Sequence, residues 1–109
     1  MLKLFQFFLL TITCAVFPVG SALAAGDIEA GKLKSYTCTG CHGIPGYKNV
    51  YPTYHVPKIG GQNVAYLESA LKGYRAGERN HSTMQLQSES LSDQDIADIA
   101  AYFASLGEE

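Results

Sequence analysis

Two thiols and an imidazole fall within five residues: Cys38-Thr39-Gly40-Cys41-His42. The spacing is C-x-x-C-H, which reads as a covalent attachment site for a c-type haem. That chemistry needs these residue types in this order. Two thiols one helical turn apart share a face, where both can add across the vinyl groups of a porphyrin. The adjacent histidine then lies beneath the ring and offers an imidazole nitrogen to the iron. Thr39 and Gly40 are small enough for a macrocycle to lie close to the backbone. Two other uses of C-x-x-C compete. A zinc site needs a second ligand pair, and no cysteine follows Cys41. A thioredoxin-like redox pair leaves His42 without a role. The residues therefore predict one haem c per chain, held through two thioethers.

An iron held by His42 has an opposite position that is either filled or left open. The candidates are Met84, His55 and His81. Met84 is the one methionine beyond Met1. It sits in the polar run Asn80-His81-Ser82-Thr83-Met84-Gln85, where burial alone explains it poorly. A thioether is a soft, neutral ligand that raises the reduction potential, which favours Met84. His55 precedes Val56-Pro57, on the loop side expected to face His42. His81 is three residues from Met84 and could replace it. For both histidines an exposed or hydrogen-bonded side chain is the default.

The N-terminus predicts export. Lys3 supplies a positive start, Leu4 to Val19 is largely apolar, and Ala22-Leu23-Ala24 is an A-x-A cleavage signal. Pro18 and Gly20 interrupt the apolar run before the ~20 residues needed to span a bilayer. The competing reading is an uncleaved anchor. Residues 1–24 are thus read as a signal peptide and 25–109 as one domain. Cys14 leaves with the signal, so both remaining cysteines belong to the motif. A domain this small is marginal by itself and needs a staple. A covalent haem would be that staple.

Residues 25–109 carry seven Lys/Arg and ten Asp/Glu, a formal charge of −3. The charge is uneven: +2 over residues 25–58 and −5 over 59–109. This balance argues against a nucleic-acid partner. It allows a dipole that orients docking, or simply a solvated surface.

Three helices position the motif. Asp27 is an N-cap for a first helix running toward Cys38. Gly31 inside it weakens the helix and marks close approach of another. Gly and Pro punctuate residues 43–61, a loop long enough to wrap one side of a cofactor. Tyr47, Tyr51 and Tyr54 lie in it. A second helix runs from near Asn63 to just before Gly77, with Tyr66, Leu67, Ala70, Leu71 and Tyr74 as its apolar stripe. Glu78 to Ser90 reads as polar and irregular. The last helix opens at Ser92 with Asp95 at the capping-box position and a Leu91–Ile96 staple. Ile96, Ile99, Ala100 and Phe103 form its apolar face, and Gly107 ends it.

Taken together, the chain resembles the class I c-type cytochromes, especially the small single-haem bacterial ones and one half of the di-haem members. The resemblance rests on Gly26-Asp27 with Gly31, Cys38 to Gly43, Pro57-Lys58-Ile59-Gly60-Gly61-Gln62, Tyr66-Leu67, Gly77-Glu78-Arg79-Asn80, Met84, and Leu91 to Phe103. It covers nearly all of residues 26–106, in order. It implies an all-α fold of three or more helices around a covalent haem, with the first and last helices crossing near Gly31. It implies His42 and Met84 as axial ligands, and a hydrogen bond from the other nitrogen of His42 to the Pro57 carbonyl. The Tyr-rich loop between Gly43 and Pro57 departs from the pattern.

The expected function is a periplasmic one-electron carrier and not an enzyme. With both axial positions filled, iron has no site for oxygen or substrate. Partners would be redox proteins such as a dehydrogenase, a cytochrome complex or a terminal oxidase, with no stable membrane insertion after signal cleavage. An open-iron haem domain that binds a gas or performs chemistry is the alternative. A dedicated subunit of a dehydrogenase or oxidase complex is a third reading.

Overall fold

The computed structural model describes residues 25–43, 47–48 and 55–107. The signal-peptide reading of 1–24, and the loop positions Tyr51 and Tyr54, lie outside the described residues. Five helices follow in order: α1 Ile28–Lys34, α2 Tyr36–His42, α3 Val64–Arg75, α4 Ser82–Ser88 and α5 Asp93–Ser105. Among the described residues, extended pairing is limited to one antiparallel bridge between Lys48 and His55. The fold is all-α, as expected.

The first expected helix is divided in two at Ser35. Asp27 caps α1 by accepting a hydrogen bond from the Ala30 N–H at 2.7 Å. The buried Ser35 turns its hydroxyl back onto the Gly31 carbonyl, a local bond that competes with regular helix. The backbone ladder still continues through the bend, from Ser35 N to Gly31 O and from Thr39 N to Ser35 O. The bend leads directly into α2, which is the C-x-x-C-H motif itself.

Residues 78–90 are not wholly irregular: they contain α4. Its sequence, STMQLQS, has no apolar stripe to read. Side chains bonded to the backbone N–H and C=O of Met84 define it instead. His81 is the N-cap, its Nδ1 accepting from the Met84 N–H at 3.3 Å. The buried Ser88 donates its hydroxyl to the Met84 carbonyl at 2.7 Å. A seven-residue helix is marginal alone; packing against α3 holds it.

α1 and α5 cross at Gly31. A Cβ on Gly31 would stand 2.0 Å from the Asp98 carbonyl oxygen and 2.8 Å from Tyr102 Cβ. Only a residue without a side chain allows that approach. Beside the crossing, Asp98 is buried and fully partnered. Its carboxylate accepts from Asp27 N–H at 2.8 Å, from Lys34 Nζ at 2.6 Å and from Gln94 Nε2 at 2.9 Å. Lys34 also reaches Asp95 at 2.8 Å. The Asp27 amide, Lys34 and Gln94 hold the Asp98 carboxyl down at about 2. Lys34 and the Ser92 backbone and hydroxyl do the same for Asp95.

The start of α5 is closed by a capping box between Ser92 and Asp95. Ile96, Ile99, Ala100 and Phe103 are buried along its inner face. Leu67 joins Ile99, Ala100 and Phe103 in the core, and Cys38, Ile59 and Leu71 pack against them. The loop entering α3 is clamped to the end of α5. Gly61 takes a positive φ of 79°, donates its N–H to the Phe103 carbonyl at 2.8 Å, and sits where a Cβ would be 2.8 Å from Gly107 Cα.

Candidate functional site

α2 sets Cys38, Cys41 and His42 half-buried along one wall of a cavity of about 370 Å³. Cys38 also packs on the core. Burial pushes its thiol up from the ordinary value, against an opposing hydrogen bond with Thr37. Near neutral pH it is therefore an uncharged thiol. Neither cysteine is in a disulfide. Among the described residues no three His, Cys, Asp or Glu side chains are grouped to hold a bare metal ion. The motif thus presents its thiols to a space rather than to a common point, which suits addition to a flat group better than chelation.

The loop after the motif supplies a second wall through Val56, Pro57 and Ile59. Here His42 Nδ1 is 2.7 Å from the Pro57 carbonyl oxygen. A carbonyl only accepts, so Nδ1 carries the proton and Nε2 keeps a lone pair. The stripe of α3 forms a third wall: Tyr66, Leu67, Ala70, Leu71 and Tyr74 all line the cavity. Ile99 and Phe103 of α5 close its base, and His81, Thr83, Met84 and Gln87 border it from α4. A wider groove of about 470 Å³ runs along Glu68, Lys72 and Glu78. It contains no thiol, thioether or imidazole.

Cys38, Cys41, His42, Pro57 and Met84 are thus brought to one cavity by α2, a loop and α4. His55 also borders it, exposed, with its backbone bridged to Lys48. His81 is half-buried, its ring edge-on to Tyr74 at 6.2 Å between centroids. Because its Nδ1 accepts the Met84 N–H, the neutral ring carries its proton on Nε2. Neither nitrogen is then a spare lone pair. Tyr47 does not line the cavity; its carbonyl accepts from the Val56 N–H at 2.9 Å.

Sequence reasoning assigned no role to Arg79, which borders the cavity with its guanidinium 4.6 Å from the centre of the Tyr74 ring. The available signal was the spacing of Tyr66, Tyr74 and Arg79 across the end of α3, which only the turn at Gly77 brings together.

A sequence model of the cytochrome c family matches residues 28–107. The cytochrome c-554(548) of Halomonas halodenitrificans is 48% identical over 84 residues, covering 74% of this chain and 98% of that protein. Cytochrome c4 of Pseudomonas aeruginosa is 44% identical over 86 residues, or 79% of this chain but 41% of that protein. The chain therefore spans less than half of that relative. The cytochrome subunit of sulfide dehydrogenase of Chlorobaculum tepidum is 32% identical over 76 residues, covering 70% of this chain and 66% of that one. With the helical fold, the C-x-x-C-H wall and matches of this extent, the chain belongs to the cytochrome c family, as a class I c-type cytochrome.

Proposed function

We propose that this chain is a periplasmic one-electron carrier, with a single haem c attached to Cys38 and Cys41 and ligated by His42 and Met84. Membership of the family makes it a haem protein of electron transfer. The finer reading rests above all on the His42–Pro57 contact. It fixes the imidazole tautomer that leaves Nε2 free to ligate, and such outer contacts orient a ligand and raise its basicity. The cavity fits the group: two thiols and an imidazole on one wall, a thioether on another, apolar side chains between. When bound, haem supplies a one-electron couple. The chain's residues hold it, exclude water and tune its potential, which spans ~0.8 V among haem proteins through axial ligand and surroundings.

Met84 is the preferred second ligand because its soft, neutral thioether borders the cavity and suits the iron of an electron carrier. The proton on His81 Nε2 and the cap bond at Nδ1 disfavour that ring in this conformation. A filled sixth position leaves no site for substrate, which supports a carrier rather than an enzyme. Residues 1–24 have the signature of a cleaved export signal, and among the described residues no helix is long and apolar enough to cross a membrane. Partners would be a dehydrogenase, a cytochrome complex or a terminal oxidase, met through a small, weak interface. The likeness to a sulfide dehydrogenase subunit favours a second reading, a dedicated subunit with the same chemistry; co-purification of a partner at fixed stoichiometry separates the two.

The test is an absorption spectrum of the oxidised and reduced purified protein, with its mass after acid-acetone extraction. One haem mass should stay on the chain. The ferric form should show the weak long-wavelength sulfur–iron band, and the ferrous form should be low-spin and slow to bind carbon monoxide. A high-spin ferrous protein that binds carbon monoxide readily would replace the carrier with the open-iron alternative.

A further inference from the structure

The backbone of Met84 is held at both its N–H and its carbonyl. On the N-terminal side, His81 Nδ1 accepts the Met84 N–H at 3.3 Å, and the His81 ring lies edge-on to Tyr74 of α3. On the C-terminal side, the Ser88 hydroxyl donates to the Met84 carbonyl at 2.7 Å. Ser88 is itself tied onward. Its carbonyl accepts the Leu91 N–H at 3.0 Å, and the Leu91 carbonyl accepts from Arg75 Nη1 of α3 at 2.8 Å. Arg75 also pairs with Asp93 at the start of α5. Both ends of α4 are thus fastened to consecutive residues of α3, Tyr74 and Arg75, with Met84 between the fastenings.

Stability by itself does not account for Ser88. It is the buried residue of α4, with 0% exposure. A buried hydroxyl costs desolvation, and serine is a poorer helix former than alanine. A serine bonded back four residues also slightly weakens a helix. Alanine at this place would carry none of these costs. What serine adds is the bond to the Met84 peptide. That bond matters because a methionine side chain is unbranched and adaptable, and a seven-residue helix is marginal alone. A ligand borne on such a segment leaves as readily as the segment opens.

We infer that Ser88 is a positioning residue for Met84: its hydroxyl fixes the peptide that carries the thioether to the cavity and keeps the sixth position closed. The inference rests on the reading of Met84 as the second ligand.

The test uses the haem-loaded protein and the variants Ser88→Ala and Ser88→Cys, with Gly31→Ala as a comparison whose lesion lies at the α1–α5 crossing. Three quantities are measured. They are the rate of imidazole binding to the ferric form at saturating imidazole, which is set by departure of Met84, hydrogen exchange of the α4 amides, and the thermal midpoint. Ser88→Ala should bind imidazole about three- to tenfold faster, the loss expected for one hydrogen bond. Its α4 amides should exchange faster by a similar factor, with the midpoint unchanged or raised. Ser88→Cys, whose thiol is a weak donor, should fall between Ser88→Ala and the unmodified protein. Gly31→Ala should lower the midpoint and leave the imidazole rate unchanged. Absence of the sulfur–iron band in the unmodified ferric protein fails the reading of Met84, and the proposal with it. With the band present, the proposal alone is overturned by an unchanged imidazole rate in Ser88→Ala, or by a faster rate that Gly31→Ala reproduces. If Ser88→Ala does not mature, Ser88→Cys carries the same comparison.

Discussion

His42 and Pro57 are separated by fifteen residues, yet the imidazole Nδ1 of one and the carbonyl oxygen of the other are 2.7 Å apart. The contact joins the end of α2 to the loop before α3 and leaves Nε2 as the only ring nitrogen able to bind a metal. In protein labelled with nitrogen-15, the Nδ1–H of His42 should be resolved and should exchange with solvent far more slowly than an exposed imidazole proton. Free exchange at Nδ1, or a proton found on Nε2 of the haem-loaded protein, would contradict the assigned tautomer.

Gly31 should tolerate no side chain. In Gly31→Ala the new methyl would stand 2.0 Å from the Asp98 carbonyl, so α1 must move off α5. Overpacking of this kind costs about 1–3 kcal/mol, and each kcal/mol lowers Tm by ~4–8 °C in a domain of this size. Gly31→Leu should cost more than Gly31→Ala. Thermal and denaturant unfolding of the holoproteins measure both; unchanged midpoints would mean that the crossing is looser than described.

The same crossing should be acid-sensitive. Asp95 and Asp98 are both held at about 2 in the folded chain, against ~3.9 for an unperturbed aspartate. A depressed folded value means that the unfolded chain takes up protons first. The stabilisation is therefore fully present above about pH 4–5 and is lost as pH falls toward 2. Asp98→Asn should flatten this part of the stability–pH curve and lower stability at pH 7. Equal slopes for variant and unmodified protein between pH 5 and 2 would show that the carboxylate is not the cause.

His81 and Met84 should separate cleanly by mutation. Met84→Ala should lower the potential and permit rapid carbon monoxide binding, unless His81 leaves its cap and ligates. The double variant Met84→Ala, His81→Ala removes that rescue. His81→Ala by itself should keep the sulfur–iron band but cost about 1 kcal/mol through loss of the α4 cap, and His81→Asn should restore most of it. An unmodified protein that lacks the band, and turns high-spin in His81→Ala with normal folding, would make the histidine, not the methionine, the ligand.

Local features are legible in the residues. C-x-x-C-H needs only the pitch of one helical turn, and α5 was legible because Ser92, Asp95 and the Ile96–Phe103 stripe each act over a few residues. Gly31 announced a close approach. Tertiary structure alone decided what met it: the Asp98 carbonyl, with Lys34 and Asp95 beside it. α4 was not legible, because it lacks an apolar stripe and depends on His81, Ser88 and contact with α3. The break at Ser35 was hidden because one buried hydroxyl chooses a backbone carbonyl. The meeting of Cys38, His42, Pro57, Tyr66, Arg79 and Met84 around one cavity is a property of how α2, α3, α4 and the Gly61–Gly107 clamp pack, since these residues are too far apart in the chain for local rules to join them.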